Sequence, residues 1–109
     1  MKLSVLAEKL GLKALTDGDL SEREASGCYI GDLLSWVMGR ATEGDVWITI
    51  MNNINIVAVA ALTECACILL CEGVCVEQEI IDKANSQDII ILQSDKTAYE
   101  LAKLISGEL

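Results

Sequence analysis

The chain has 109 residues, of which 52% are hydrophobic and 4% aromatic, and it lacks Phe, Pro and His. This length is typical of one domain, and we expect a single domain over residues 1–109, since so many apolar residues exclude a disordered chain. The formal net charge of −9 disfavours binding to nucleic-acid polymers and to anionic membrane surfaces, because both carry negative charge.

The first third of the chain predicts two helices and two short strands. Apolar residues at helical spacing indicate a helix from Leu3 that Gly11 ends. Short strands are predicted over 12–16 and 25–30, separated by a turn at Asp17-Gly18-Asp19. Asp32 is the predicted N-cap of the amphipathic helix that follows.

From residue 45 onward, strands and helices alternate. Strands are predicted over 46–50, 65–71 and 88–92, and helices over 54–64, 77–86 and 96–106. The predicted helix caps are Asn52 or Asn53 for the first of these helices and Ser94 or Asp95 for the last. This alternation of apolar strands and helices predicts an α/β fold, with three α/β/α layers around a mainly parallel sheet.

Four of the five cysteines lie in one segment, CACILLCEGVC, over residues 65–75. Their spacing matches neither a zinc ribbon nor a ferredoxin cluster, and no His is present to complete a mixed site. On an extended strand Cys65, Cys67 and Cys71 share one face, with the outer two roughly 20 Å apart at ~3.3 Å per residue. We expect the cysteines to fill the core and bind no metal; a metal or cluster site and a redox switch are the alternatives.

No motif for catalysis or for a cofactor is present. The sequence lacks both common glycine-rich phosphate-binding patterns, and without His the usual general base at neutral pH is missing. Paired carboxylates, such as Asp17 with Asp19 and Glu22 with Glu24, are typical of a solvated surface. We expect a protein without enzymatic activity or a cofactor.

The helix predicted over 54–62, INIVAVAAL, is apolar on every face. A helix that covers a sheet normally has a polar outer stripe, so this one is expected to contact a second copy of the chain through Ile54, Val57, Ala58 and Ala61. Residues 54–71 have the length of a membrane span, but Thr63 and Glu64 lie inside them and disfavour that alternative. Unpaired thiols suggest a cytoplasmic protein.

Two segments carry a resemblance to a known family. EREASGCYIGDLLSWVM (22–38) and EGDVWITIMNNINIVAVAAL (43–62) resemble the DRTGG domain family, and the similarity extends over almost the whole chain. Arg23, Gly27 and Asn55 match the family pattern. Five positions depart from it: Glu22, Ser26, Cys28, Met51 and Asn53 stand where Asp, Thr, Gly, Gln and His are expected.

The resemblance implies a fold and a class of function. Related domains occur in the N-terminal region of HPr kinase/phosphorylase, beside CBS domains and in a phosphotransacetylase-associated region. The fold is expected to be similar to that of the N-terminal, UDP-sugar-binding domain of muramyl ligases. A regulatory or ligand-binding role has been suggested for the family.

Ligands of open α/β sheets bind outside the carboxyl ends of the strands. The residues predicted to bind a ligand are those at these ends together with three from the family signature: Asp32, Asn52, Asn53, Asn55, Ser94 and Lys96, with Arg23, Ser26 and Gly27. The alternatives are that Asn53, Ser94 and Asp95 only cap helices, that Lys96 is only a solvated surface charge, and that Arg23 forms a surface ion pair with Glu22 or Glu24.

Together these features favour a homodimeric regulatory module that binds a small anionic metabolite or a nucleotide. The alternative is a protein-interaction or assembly domain that uses the apolar helix over 54–62. An enzyme or an iron–sulfur protein would require the cysteine side chains to converge.

Overall fold

The structure, a computed structural model, describes residues 1–109 and contains one five-stranded sheet with five helices. The strands are β1 (Lys13–Ala14), β2 (Gly27–Ile30), β3 (Asp45–Thr49), β4 (Cys67–Leu70) and β5 (Ile91–Gln93). The helices are α1 (Leu3–Leu10), α2 (Leu34–Arg40), α3 (Asn55–Thr63), α4 (Gln78–Ser86) and α5 (Ala98–Ser106). A short 3-10 turn at Leu20–Glu22 precedes β2.

The sheet has the order β1-β5-β4-β3-β2. Strands β2 to β5 are parallel, and β1 joins the edge antiparallel, with Lys13 opposite Gln93. The predicted α/β fold with a mainly parallel sheet is confirmed. Because four strands are parallel, the sheet has one edge where their amino ends meet and one where their carboxyl ends meet.

Helices cover both faces of the sheet and create two cores. Helices α1 and α5 pack on one face against alternate residues of the central strands, including Val46, Ile48 and Leu69. Helices α2, α3 and α4 pack on the other face, around Trp47 and Ile68. Strands β3 and β4 are buried throughout because both of their faces are covered, which explains their continuous apolar sequence.

Three local predictions were wrong. Asp32 does not cap α2: it precedes the N-cap residue Leu33, and its carboxylate bonds to the end of β3 instead. Neither Ser94 nor Asp95 caps α5, because Thr97 holds that position in a reciprocal capping box with Glu100. The last strand begins later than expected, since Asp88 has a φ of 59° and belongs to the turn after α4.

Helix α3 is apolar between its end residues Asn55 and Thr63, yet only one side of it is buried. Ile56, Val57, Val59 and Ala60 lie in the core, whereas Ile54, Ala58 and Ala61 are exposed. Val57 is 1% exposed and is unavailable to a partner, so its inclusion in the predicted contact was wrong. The remaining three residues form an exposed face together with Leu62, which is 67% exposed.

The longest helices of the structure have nine residues. No helix is both long enough and apolar enough to span a bilayer.

Candidate ligand site

The predicted ligand-binding residues lie at opposite edges of the sheet. Arg23, Ser26 and Gly27 precede or begin β2 and lie at the edge where the amino ends of the parallel strands meet. The other six lie at the carboxyl ends: Asp32, Asn52, Asn53, Asn55, Ser94 and Lys96. A single small-molecule site cannot include both groups.

Arg23 makes an ion pair within its own chain. Its Nη2 lies 2.9 Å from Oδ2 of Asp88 and also donates to the main-chain carbonyl of Asp88. Neither expected partner is used, since Glu24 instead contacts the N-terminal amine of Met1 at 3.3 Å. The guanidinium therefore joins the segment before β2 to the turn before β5, and its charge is neutralised there.

Gly27 is the position where a buried carboxylate approaches the backbone. A Cβ placed on Gly27 would lie 2.6 Å from Oδ1 of Asp45. Asp45 is 8% exposed, and its Oδ2 accepts hydrogen bonds from the backbone N–H and the hydroxyl of Thr42, at 2.8 and 3.3 Å. The signature glycine thus leaves space for a buried acid, which is a structural role.

A cavity of about 600 Å³ lies at this amino edge. Its lining is acidic, with five carboxylates from Glu22, Glu24, Glu43, Glu64 and Asp88. Arg23 is its one basic residue and is already paired with Asp88. Such a lining repels a nucleotide or another anion, so the amino edge does not fit the expected ligand class.

At the carboxyl edge, Asp32 ties two loops together. Its Oδ1 accepts hydrogen bonds from the Thr49 hydroxyl at 2.7 Å and from the backbone N–H of Ile50 at 2.9 Å. This carboxylate therefore holds the segment after β2 against the end of β3.

The asparagines after β3 also make local bonds. Asn52 donates from Nδ2 to the Cys75 carbonyl at 3.2 Å, and Asn53 accepts from the backbone N–H of Asn55 at 2.9 Å. A cavity of about 440 Å³ adjoins them and is also lined by Glu77 and Glu79. The Asn55 side chain makes no hydrogen bond within the chain and is exposed.

A smaller cavity of about 200 Å³ lies at the carboxyl end of β5 and combines two lysines with Ser94. Lys13 and Lys96 line it, with Asp95 as the one acid, and neither lysine takes part in an ion pair. The Ser94 hydroxyl accepts from the backbone N–H of Lys96 at 3.1 Å. Of the cavities at the two edges, this is the one with a positive lining.

Lys13 was missed by the sequence reasoning. It reaches the cavity because β1 pairs antiparallel with β5 and lies opposite Gln93. A two-residue strand gives no pattern from which its partner could be identified, so only the tertiary structure brings Lys13 beside Lys96.

The cysteines do not converge. Cys67 and Cys71 lie in the core beneath α1 and α5, whereas Cys65 lies in the opposite core, so the prediction that all three share one face was wrong. The strand begins only at Cys67, which frees Cys65 from its alternation. Burial raises the pKa of the Cys65, Cys67 and Cys71 thiols, which keeps them protonated at neutral pH.

Comparisons with known proteins agree with the predicted fold. The crystal structure of the CBS and DRTGG domains of the regulatory region of Clostridium perfringens pyrophosphatase, complexed with the activator diadenosine tetraphosphate, has a TM-score of 0.79 and 16% sequence identity. The match covers 99% of this chain and 47% of that chain, so the present chain spans about half the length of its structural neighbour. At this identity the likeness shows a shared fold.

No curated protein matches the chain. The DRTGG domain model, in contrast, matches residues 5–107, which is nearly the full length. This match agrees with the motifs around Arg23 and Asn55 and with the α/β architecture. The chain therefore belongs to the DRTGG domain family.

Proposed function

We propose that this chain is a regulatory module without catalytic activity that binds a nucleotide or another small anionic metabolite. The observation that carries this proposal is the cavity lined by Lys13, Lys96 and Ser94 at the carboxyl edge. In parallel α/β sheets this is the edge where ligands bind. The nucleotide activator bound to the regulatory region of the Clostridium perfringens pyrophosphatase supports the same ligand class.

The charges of the two edges support this choice. The chain has eight basic residues against seventeen acidic ones, so two unpaired lysines beside one cavity are a local exception to its negative surface. Phosphate oxygens accept hydrogen bonds from Lys ammonium groups and are attracted by their charge.

The polar residues elsewhere support binding over catalysis. Asp32, Asn52, Asn53 and Arg23 are engaged in hydrogen bonds or ion pairs within the chain. The chain has no His, and the buried thiols are held protonated. We further propose that residues 1–109 act as one domain and that this domain works in the cytoplasm, because the exposed thiols Cys28 and Cys75 suit a reducing compartment.

The test is calorimetric titration with ATP, diadenosine tetraphosphate and a UDP-sugar. For the ligand that binds, we expect Lys96→Gln and Lys13→Gln each to weaken binding about tenfold, the size of one lost charge-assisted contact. Lys83→Gln is the matched control, because Lys83 lies in α4 away from the cavity. Affinity that is unchanged in both cavity variants, or absent for all three ligands, would contradict the proposal.

We also propose that the module is a homodimer that uses the exposed face of α3. Ile54, Ala58, Ala61 and Leu62 expose apolar atoms from one helix, and burial against a second copy would remove them from water. The same face favours a second candidate function, assembly onto a different protein. Light scattering at micromolar concentration separates the two: a dimer mass that Ala58→Arg converts to a monomer mass supports the homodimer, and a monomer mass for the unmodified chain contradicts it.

A further inference from the structure

Helix α2 leaves most of its surface uncovered, although it carries large apolar side chains. Val37 is its one buried residue. Leu33 at its N-cap is 60% exposed and Trp36 is 53% exposed. With Arg40 they follow the spacing i, i+3, i+7, which places all three on one side of the helix. We call this set of Leu33, Trp36 and Arg40 the α2 stripe.

Arg40 at the end of the α2 stripe is a cation without an acidic partner. Its guanidinium lies 3.8 Å from the centre of the Trp36 ring, a stacked cation–π contact. The three ion pairs of the chain use Met1, Lys9 and Arg23, so Arg40 is in none of them. Arg and Trp are the residue types most enriched in the energetic centres of protein interfaces.

Asp32 lies at the other end of the same helix and has acceptor capacity to spare. Its Oδ1 is held by Thr49 and Ile50, while its Oδ2 has no hydrogen-bond partner in the chain. Its carboxylate is therefore fixed in position with one oxygen free. The chain thus has a rigid acid and an unpaired base at opposite ends of one short exposed helix.

Trp36 stands midway in sequence between Asp32 and Arg40. If a second copy packs its α2 antiparallel across a two-fold axis at Trp36, Arg40 of each copy comes opposite Asp32 of the other. An axis of this kind makes every contact twice, so two ion pairs flank a centre made of two Trp36 rings and two Leu33 side chains. The seven residues of α2 extend over roughly 10 Å, and Asp32 lies two residues before the first of them, so the two ion pairs lie on either side of the axis.

We infer that a second copy of this chain docks on the α2 stripe, with reciprocal Arg40–Asp32 ion pairs around a Trp36 contact. The inference rests on the proposed homodimer and assigns its symmetry axis. Helix α2 packs beside α3, so the α2 stripe and the exposed face of α3 belong to the same helical layer. An interface that uses both helices buries more surface than one that uses a single helix, and a stable interface requires a large buried area.

Tryptophan fluorescence tests the contact directly. Trp47 is fully buried, so acrylamide quenching reports on Trp36. Quenching is expected to fall as protein concentration is raised through the range in which sedimentation shows dimer formation. A dimer in which Trp36 stays as accessible as in the monomer would overturn the inference.

A double-mutant cycle tests the ion pairs. Arg40→Gln and Asp32→Asn are each expected to raise the dimer dissociation constant about tenfold, because two pairs are lost per dimer. Asp32→Asn retains an acceptor oxygen for Thr49 and Ile50, and circular dichroism checks that the fold is kept. The dimer dissociation constant of the double variant is expected to be no higher than that of either single variant, because each substitution alone already removes the same ion pairs. Additive effects, or none, would overturn the pairing.

The controls separate this inference from the proposed function. Lys83→Gln removes an exposed charge from α4 and is expected to leave the dimer unchanged. If Ala58→Arg abolishes the dimer while Arg40→Gln and Trp36→Ala do not weaken it, the homodimer stands and the α2 contact is wrong. A monomer at every concentration overturns both, while nucleotide binding is decided separately by titration.

Discussion

Gly27 and Asp45 together give the family signature a physical meaning. Parallel pairing sets Gly27 opposite Asp45, and the absence of a side chain at Gly27 allows the buried carboxylate to lie against β2. The carboxylate in turn holds Thr42 in the turn before β3. This group shapes the amino edge of the sheet and does not require a ligand.

We predict that Gly27→Ala destabilises the fold by about 1–3 kcal/mol, the usual cost of forcing an extra methyl into a packed region. Gly39→Ala is the matched control, because a Cβ at Gly39 meets nothing within 4 Å. Gly39 lies in α2, where Ala is a better helix former, so the control is expected to be neutral or to gain up to about 1 kcal/mol. Urea unfolding of both variants measures the difference in stability. Equal stabilities would show that the Asp45 side chain can move away from an added methyl group without destabilising the fold.

Arg23 shows why the residue scale resists prediction from sequence. Its motif indicated a special role, but its partner Asp88 is 65 positions away along the chain. Nothing in the sequence around Asp88 identifies it as the partner of Arg23. The adjacent acids Glu22 and Glu24 are more obvious candidates when only the sequence is considered. The same holds for Lys13 and Lys96, which meet only through the pairing of β1 with β5.

At the scale of single elements, hydrophobic periodicity located the helices and strands well because packing on a sheet imposes it. Gly11, in the left-handed conformation with φ 66°, ends α1 as predicted. The helix starts were harder to predict, since Asp32, Ser94 and Thr97 are all suitable cap types. The choice between them depends on where the backbone turns, and this is set by contacts with the neighbouring strand.

We predict that Thr97→Ala lowers the stability by about 1 kcal/mol, because it removes the acceptor for the backbone N–H of Glu100. Ser94→Ala is the comparison, and it is expected to cost less because Ser94 makes a local turn bond outside the helix. Thermal unfolding of both variants at neutral pH measures this. A larger loss of stability for Ser94→Ala than for Thr97→Ala would show that Ser94 caps the helix.

The same capping box predicts a pH dependence. Hydrogen bonds from the backbone N–H and the hydroxyl of Thr97 lower the pKa of Glu100. A carboxyl group with a lowered folded-state pKa contributes stability that is present above its unfolded pKa and lost as the pH falls through the folded value. The stability difference between the unmodified chain and Glu100→Gln should therefore shrink on acidification below about pH 4.5.

At the scale of the whole molecule, the alternation of strands and helices was enough to predict the architecture. The order of the strands in the sheet was not predicted, and this order decides which loops meet. It places the signature residues Arg23 and Gly27 and the proposed ligand-binding edge at opposite ends of the strands, although the sequence predicts one ligand site that includes both. The order of the strands brings together residues that are distant in sequence, whereas a motif consists of residues that are close in sequence.

The layers also predict how stability is distributed. Strand β4 is central and buried on both faces, whereas α2 has a single buried residue. In native-state hydrogen exchange below the concentration range of dimer formation, amides of β4 are expected to exchange roughly 100-fold more slowly than those of α2. Similar rates in both elements would mean that α2 opens only with the whole domain.

Strand β1 has one further consequence. It is two residues long, it forms the outer edge of the sheet, and it carries one of the two lysines of the proposed site. A molecule with two phosphates that binds both Lys13 and Lys96 would connect β1 to the loop between β5 and α5. Binding of such a molecule would then slow the release of β1 from the sheet, which slower solvent exchange of the β1 amides would report.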